Sequence, residues 1–194
     1  MLSSSMGVVS KSKRLPARKR DKTRGPAPEP ALDLERMAAL AAFTARSLRT
    51  PRPRCFGASI VHTRSGTLLL RALNNVAKEF DPSAHAEVRA IRLATKRLKQ
   101  LSLAGYTLYT TCEPCPMCMS TALWAGLDRV VYGATIADAN RHFSQIRIPA
   151  TEVVARGDIE CIVDGPVLRD KCYAIFTDPR MQKSVRQWST RKRR

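Results

Sequence analysis

The 194-residue sequence contains no run of eighteen apolar residues, and its longest candidate, "ERMAALAAFTARSL", is interrupted by charge. A membrane-spanning helix needs about 20, so a spanning segment is excluded and a soluble protein is expected. An apolar secretory core is equally missing from the first thirty residues. The spacing of a disulfide framework is missing too. Six cysteines are present, three of them crowded into 112–118 and the others at 55, 161 and 172, which points to a reducing compartment and a metal site rather than a small stapled domain. No internal repeat is found. Acidic residues are scarce at both ends: 1–30 hold eight Lys and Arg against Asp21 and Glu29, and 180–194 hold seven against none. Of the formal net charge of +18, only +5 falls on 31–179. The excess is a property of the tails, and the central segment does not declare itself a nucleic-acid binder.

At 44% hydrophobic content the chain suffices for one globular domain and its core. The expected division is a disordered basic tail over 1–30, a domain over 31–179 and a basic tail over 180–194. The first thirty residues, rich in Ser, Arg, Lys and Pro, have no hydrophobic period and cannot bury enough surface to offset their ordering entropy. Their Arg- and Ser-rich composition is shared with organellar transit peptides, but Asp21 and Pro16 interrupt it. A cytoplasmic protein is the expectation.

From Leu32, Leu34, Met37, Leu40, Ala41, Thr44 and Leu48 recur at spacings of three and four and predict an amphipathic helix with Asp33 and Glu35 near its positive end. "FGASIVHT" and "GTLLLRAL" around "RSG" predict a hairpin, and "EFDPSA" a loop. Ala86, Val88, Ile91, Leu93, Ala94 and Leu98 predict a second helix. "YTLYTT" and "DRVVYGA" predict strands, with a helix between them that starts at Pro116 and is capped by Gly126. Met119 and Trp124 of this helix are assigned to the core. After it come a short helix at "TEVVARG", an apolar strand in "ECIVDG" and a terminal helix.

His85 thus stands at the start of one helix, and Cys115 and Cys118, three residues apart, on the first turn of another. Helical residues at that spacing share a face, so both sulfurs can address one point. The partial positive charge of a helix N-terminus favours thiolate over thiol. One imidazole and two thiolates suit Zn²⁺, and three protein ligands leave a fourth tetrahedral position for a water whose pKa falls to about 7. Glu87, two residues past His85, is placed to take a proton from that water and deliver it to a substrate nitrogen.

"HAE" at 85–87 and "PCPMC" at 114–118 fit the H-x-E and P-C-x-x-C signature of zinc nucleobase deaminases. With "FGASIV", "NNV", "DPSAHAEVRAIR" and "LYTTCEPCPMCMSTALWAGLDRVVYGA" in the same order over roughly 32–150, the chain resembles the cytidine and deoxycytidylate deaminase superfamily, in its branch of guanine, cytosine and tRNA adenosine deaminases. The resemblance implies an α/β fold, a three-layer α/β/α sandwich around a five-stranded mixed sheet, with zinc between two helix N-termini; a homodimer is the implied assembly. It implies that Asn74, eleven residues before His85, binds the base, that the backbone N–H of Ala86 binds a ring carbonyl, and that Phe56 walls the pocket. Each has an ordinary alternative, turn chemistry for Asn74 and core packing for Phe56.

Cys112 raises a competing arrangement, a closed Cys₃His structural zinc, in which Glu87 and the "DPSAHAE" loop have no use. Cys55, Cys161 and Cys172 are expected as small core residues, and His62 and His142 as surface or hydrogen-bonded histidines. The expected function is hydrolytic deamination of a free nucleobase or nucleoside with release of ammonia. Two alternatives stand beside it: adenosine deamination in tRNA, with nucleic-acid contacts through the basic tails, and a non-catalytic zinc module that binds nucleic acid. Guanine deaminases that the chain resembles carry a further acid after the strand matching "DRVVYGA". Here "TIADANRHFSQI" offers Asp138 early and Ser144 and Gln145 later, so a second proton carrier is displaced or missing. The same stretch lacks the glycine-rich basic run of the tRNA enzymes, which ranks the small substrate first and makes the tails accessory.

Overall fold

The computed structural model describes residues 30–184; the tails expected over 1–30 and 180–194 lie outside them, apart from Pro30 and 180–184. Strands β1 (Gly57–His62), β2 (Leu68–Leu73), β3 (Tyr106–Cys112), β4 (Arg129–Ala134) and β5 (Ile162–Asp164) form one sheet in the order β2-β1-β3-β4-β5. β1 lies antiparallel to both β2 and β3, whereas β3, β4 and β5 run parallel. The hairpin turn closes at Gly66, whose φ of +66° suits a residue without Cβ.

Helices α1 (Pro30–Arg46), α2 (Val76–Glu79), α3 (Ala86–Leu98), α4 (Pro116–Trp124), α5 (Ile136–Asn140), α6 (Ala150–Ala155) and α7 (Arg169–Thr177) connect and cover the strands. The pleat sorts the inner strands between two layers. Leu108 and Val130 pack with Ala90, Ile91 and Met119 beneath α3 and α4, while Tyr109 and Val131 pack with Met37, Leu40 and Phe176 beneath α1 and α7. This is the three-layer α/β/α sandwich around a five-stranded mixed sheet. Packing continues past 179, because Met181 is buried and Gln182 donates to the carbonyl of Phe176 at 2.6 Å.

Three local features depart from the pattern in the sequence. The loop before His85 is preceded by a single helical turn, α2, which takes in Glu79, and α5 occupies a stretch too short to show a period. Trp124 is 82% exposed rather than in the core. Cys118, Met119, Ala122 and Leu123 form the buried side of α4, leaving Met117, Thr121 and Trp124 on the other; a helix with no charged residue gives no sign of which side faces out. Gly126 caps α4 as expected, with φ +67° and its N–H on Leu123 O at 2.8 Å.

Asp33 also does more than complement a helix end. It is buried, and its carboxylate accepts from Tyr109 Oη at 2.6 Å and from both terminal nitrogens of Arg129 at 2.7 Å, while Arg129 Nε reaches Asp164. One carboxylate therefore ties α1 to β3 and β4, at the end where β4 begins. Removing one partner of such a buried pair costs about 3–5 kcal/mol, an exposed pair less than about 1. Asp33→Ala should lower the unfolding free energy by about 3 kcal/mol in urea, whereas Glu35→Ala, whose partner Arg36 is at 3.2 Å on the surface, should change it by less than about 1 kcal/mol.

Candidate metal centre

The parallel strands β3 and β4 end at the edge of the sheet where β1 begins and β2 finishes. α3 and α4 both start at that edge. The loop that presents His85 is fastened before it arrives there. Asp81 accepts from Ser83 N at 2.8 Å and Ser83 Oγ at 2.6 Å, Arg92 reaches Asp81 at 3.2 Å and Ser83 at 3.1 Å, and Asn75 N donates to Ala84 O at 2.9 Å. His85 and Cys115 then occupy the N-cap positions of α3 and α4, both with extended backbone, and Pro116 takes the first position of α4.

His85 Nδ1, Cys115 Sγ and Cys118 Sγ converge. The sulfurs are 3.6 Å apart, and Nδ1 is 3.8 Å from Cys115 Sγ and 3.5 Å from Cys118 Sγ. Tetrahedral zinc with usual bond lengths requires about 3.8 Å between two sulfurs and about 3.6 Å between sulfur and nitrogen. The donor set fits the ion in kind and in spacing. These three residues are the only group among the described residues whose donor atoms lie within 4.8 Å of one another. Cys112 is not one of them. Its buried sulfur points to Thr135 O at 3.8 Å, and burial pushes its thiol pKa well up.

The hydrogen bond from Cys118, aided by His85, holds the Cys115 thiol down to about 4, while Cys118, bonded to that thiolate and buried, keeps its proton. The hydrogen bond with Cys115 in turn raises the pKa of His85, against burial. Glu87 is buried beside them, with Oε2 3.6 Å from Cys118 Sγ and Oε1 accepting from Thr110 Oγ1 at 2.9 Å. Burial raises its pKa above the ordinary carboxylate value; its own backbone N–H, His85 and Thr110 pull the other way. Thr110 therefore fixes one carboxylate oxygen and leaves the other on the sulfur side. This role of Thr110 is not legible in "YTT", which carries only a strand signal.

The other expected contacts share this edge. Asn74 N donates to Phe56 O at 3.0 Å, which sets the two residues side by side, and Asn74 Oδ1 accepts from Val76 N at 3.2 Å, the turn chemistry considered above. Ala86 is buried in the first turn of α3, where backbone N–H groups lack an intrahelical acceptor. Phe56 is half-buried in an aromatic cluster, 5.2 Å from the Phe143 centroid and 5.3 Å from that of Phe176. Phe143 lies in "TIADANRHFSQI", where no hydrophobic period marks it as a packing residue. Asp138, the acid of that stretch, is buried and committed. It caps α5 through Thr135 and receives two bonds from Arg169 at 2.8 and 2.6 Å. Burial alone would raise its pKa, but these bonds outweigh it and hold the carboxyl below its usual range. Glu113 is likewise structural, accepting from the backbone N–H of Ile136 and of Ala150, both at 3.0 Å.

Residues 31–134 match the family model described as the cytidine and deoxycytidylate deaminase zinc-binding region. The chain is similar to guanine deaminase of Bacillus subtilis, 48% identical over 84 residues that cover 43% of this chain and 53% of the relative. It is also similar to the tRNA-specific adenosine deaminase of Aquifex aeolicus, 40% identical over 78 residues, 40% of this chain and 50% of that one. The match thus spans about half the length of these curated relatives. The solved structure of guanine deaminase from Nitrosomonas europaea superposes with a TM-score of 0.67 at 24% identity, covering 81% of this chain and 87% of that one, and shares the fold.

One zinc per chain is expected on metal analysis of the purified protein. Cys115→Ala and Cys118→Ala should each empty the site, and Cys112→Ala should keep it filled. Zinc loss from Cys112→Ala would speak for the closed four-ligand arrangement instead.

Proposed function

Because the chain belongs to the cytidine and deoxycytidylate deaminase zinc-binding family, we propose that it is a zinc-dependent hydrolytic deaminase of a free nucleobase or nucleoside, of guanine or cytosine type. The observation that carries this is a buried carboxylate of raised proton affinity set 3.6 Å from a sulfur of the three-donor cluster. His85, Cys115 and Cys118 would hold the zinc. When bound, it supplies Lewis-acid activation of water at neutral pH.

The remaining work falls to the protein. Glu87 accepts a proton from the attacking water through the oxygen that Thr110 leaves free. The water oxygen bonds to the ring carbon bearing the amino group. Glu87 passes this proton to the ring nitrogen whose double bond to that carbon opens, then takes the hydroxyl proton of the resulting adduct and gives it to the amino nitrogen, so that the C–N bond breaks and ammonia leaves as the carbonyl forms. A carboxyl group whose pKa is raised by burial suits a residue that must both take and give a proton. Asn74 Nδ2, which has no hydrogen bond among the described residues, is offered to an acceptor on the base, the Ala86 N–H to a ring carbonyl, and the Phe56 ring to the flat face. Since Asp138 is held as an ion pair, Glu87 carries both transfers. Pairing with a second copy is supported by the uncharged outer face of α4, where Trp124 stands exposed. The second reading, adenosine in tRNA, is supported by the Aquifex relative; it ranks lower because the guanine deaminase match is the more similar.

Ammonia release should be screened over guanine, cytosine, adenine and their nucleosides, with tRNA alongside. Glu87→Gln should keep its zinc and lose about 10²–10⁴-fold in turnover. Thr110→Val should lower kcat about tenfold with little change in KM, and Thr110→Ser should restore it. Activity of Glu87→Gln within a few-fold of the parent would rule out its role as proton carrier, and conversion of tRNA alone would reverse the substrate ranking.

A further inference from the structure

α5 ends at Asn140, and the chain runs on through His142 and Phe143 to Ala150 without a further helix or strand. Among the described residues no hydrogen bond fastens 144–148. The hold on this stretch is made just before it, at His142, and it comes from beyond α7. His142 Nε2 lies 3.2 Å from Tyr173 Oη, and His142 Nδ1 lies 3.2 Å from Gln182 Nε2. Gln182 Nε2 also donates to the Phe176 carbonyl at 2.6 Å. An amide nitrogen offers two hydrogens and accepts none, and a carbonyl only accepts. The Phe176 carbonyl therefore fixes which end of the Gln182 amide faces it, since the turned amide would set oxygen against oxygen. The second hydrogen is left for His142, and Nδ1 must accept it. A neutral imidazole that accepts at Nδ1 carries its proton on Nε2, where it is donated to Tyr173 Oη. One backbone carbonyl thus sets the amide, and the amide sets the tautomer.

The imidazole fixed in this way packs among rings. Its centroid is 5.6 Å from that of Tyr173 and 6.2 Å from that of Phe143. Phe143 in turn meets Phe56 at 5.2 Å and Phe176 at 5.8 Å, both edge to face. Edge-to-face pairs are directional, so a ring held on one side constrains the next. The series ends at Phe56, whose carbonyl accepts from Asn74 N at 3.0 Å, on the sheet edge that carries the metal centre. His142 and Gln182 are both half-buried. Packing alone would be served there by an apolar residue at 182. A donor aimed at Nδ1 adds something packing does not, because it gives the imidazole one orientation out of two and carries that choice into the ring beside it.

We propose that Gln182 and His142 are positioning residues for the base pocket: the amide sets the tautomer and orientation of the imidazole, and the imidazole holds Phe143 against Phe56, the ring offered to the flat face of the base. The role rests on the deaminase reading, since Phe56 meets a base only if the metal centre works on one. Neither residue touches the reacting atoms. A wall that supports the base equally before and during the reaction governs how tightly substrate is held and leaves the proton transfers of Glu87 alone.

The test uses the full chain, zinc-loaded, with ¹⁵N-labelled histidine. Long-range ¹H–¹⁵N correlation should show His142, identified by the signal missing from His142→Asn, protonated at Nε2 and bare at Nδ1. A nuclear Overhauser contact should join the rings of Phe143 and Phe56. Gln182→Leu and His142→Ala should weaken that contact, whereas His142→Asn, whose Oδ1 takes the place of Nδ1 toward Gln182, should keep it. On the base or nucleoside that the parent deaminates, the first two should raise KM about three- to tenfold with kcat within about twofold, and His142→Asn should restore KM. Arg180→Gln, which breaks the neighbouring surface pair with Asp178, should change neither contact nor KM. If His142 carries its proton on Nδ1, if the ring contact survives Gln182→Leu, if KM stays unchanged when the contact is lost, or if Arg180→Gln raises KM as much, the positioning role is wrong while the deaminase reading stands. A parent with the expected tautomer and ring contact that deaminates nothing overturns the deaminase reading, and the pocket role with it.

Discussion

Three donor atoms from segments thirty residues apart must converge within 4.8 Å of one another, and the rest of the molecule is arranged around that requirement. It is met by starting two helices at the same edge of one sheet. For α3 to bring His85 and Glu87 close to β3 the helix must lie low on the strands, and a stripe of Ala86, Ala90 and Ala94, all fully buried, lets it do so. Larger residues there would lift the helix and carry Glu87 away from Thr110. The two N-termini also place their free N–H groups and positive ends where sulfur bears negative charge, so the geometry that gathers the ligands helps to ionise them.

The same edge separates two carboxyl groups by environment. Burial raises the proton affinity of Glu87 against the pull of the His85 imidazole and the Thr110 hydroxyl. Asp138, on the next helix to leave the sheet, meets a guanidinium and a helix cap, and its proton affinity falls. Environments that push titratable groups apart set their roles apart: Asp138 is held as an ion pair, and Glu87 keeps a raised proton affinity. Sequence cannot tell these acids apart, because each merely follows a strand or loop at a plausible distance.

What the sequence made legible was local. Caps, the Cys115–Cys118 spacing and the pairing of "HAE" with "PCPMC" are set within a few residues, and they located the metal cluster and the fold that carries it. Interactions across the chain were not legible. Asp33 and Arg129 are 96 residues apart, and Asp33 seen alone is an ordinary helix-start acid. Thr110 looked like any β-branched strand residue. Trp124 was misplaced because an uncharged helix has no polar side to orient it, and His142 meets Gln182 forty residues further on, a pairing that only the folded chain establishes.

Glu113 belongs to the loop that leads into Cys115, yet both of its oxygens grip backbone N–H groups, of Ile136 and of Ala150. Phe143, in the segment between those two points, packs against Phe56. Backbone amides are the same whatever side chains they carry. The stretch can therefore exchange its residues while both of its ends stay moored to the loop of Cys115, which makes it an interchangeable cassette whose side chains can change without loosening the frame that holds the three donors.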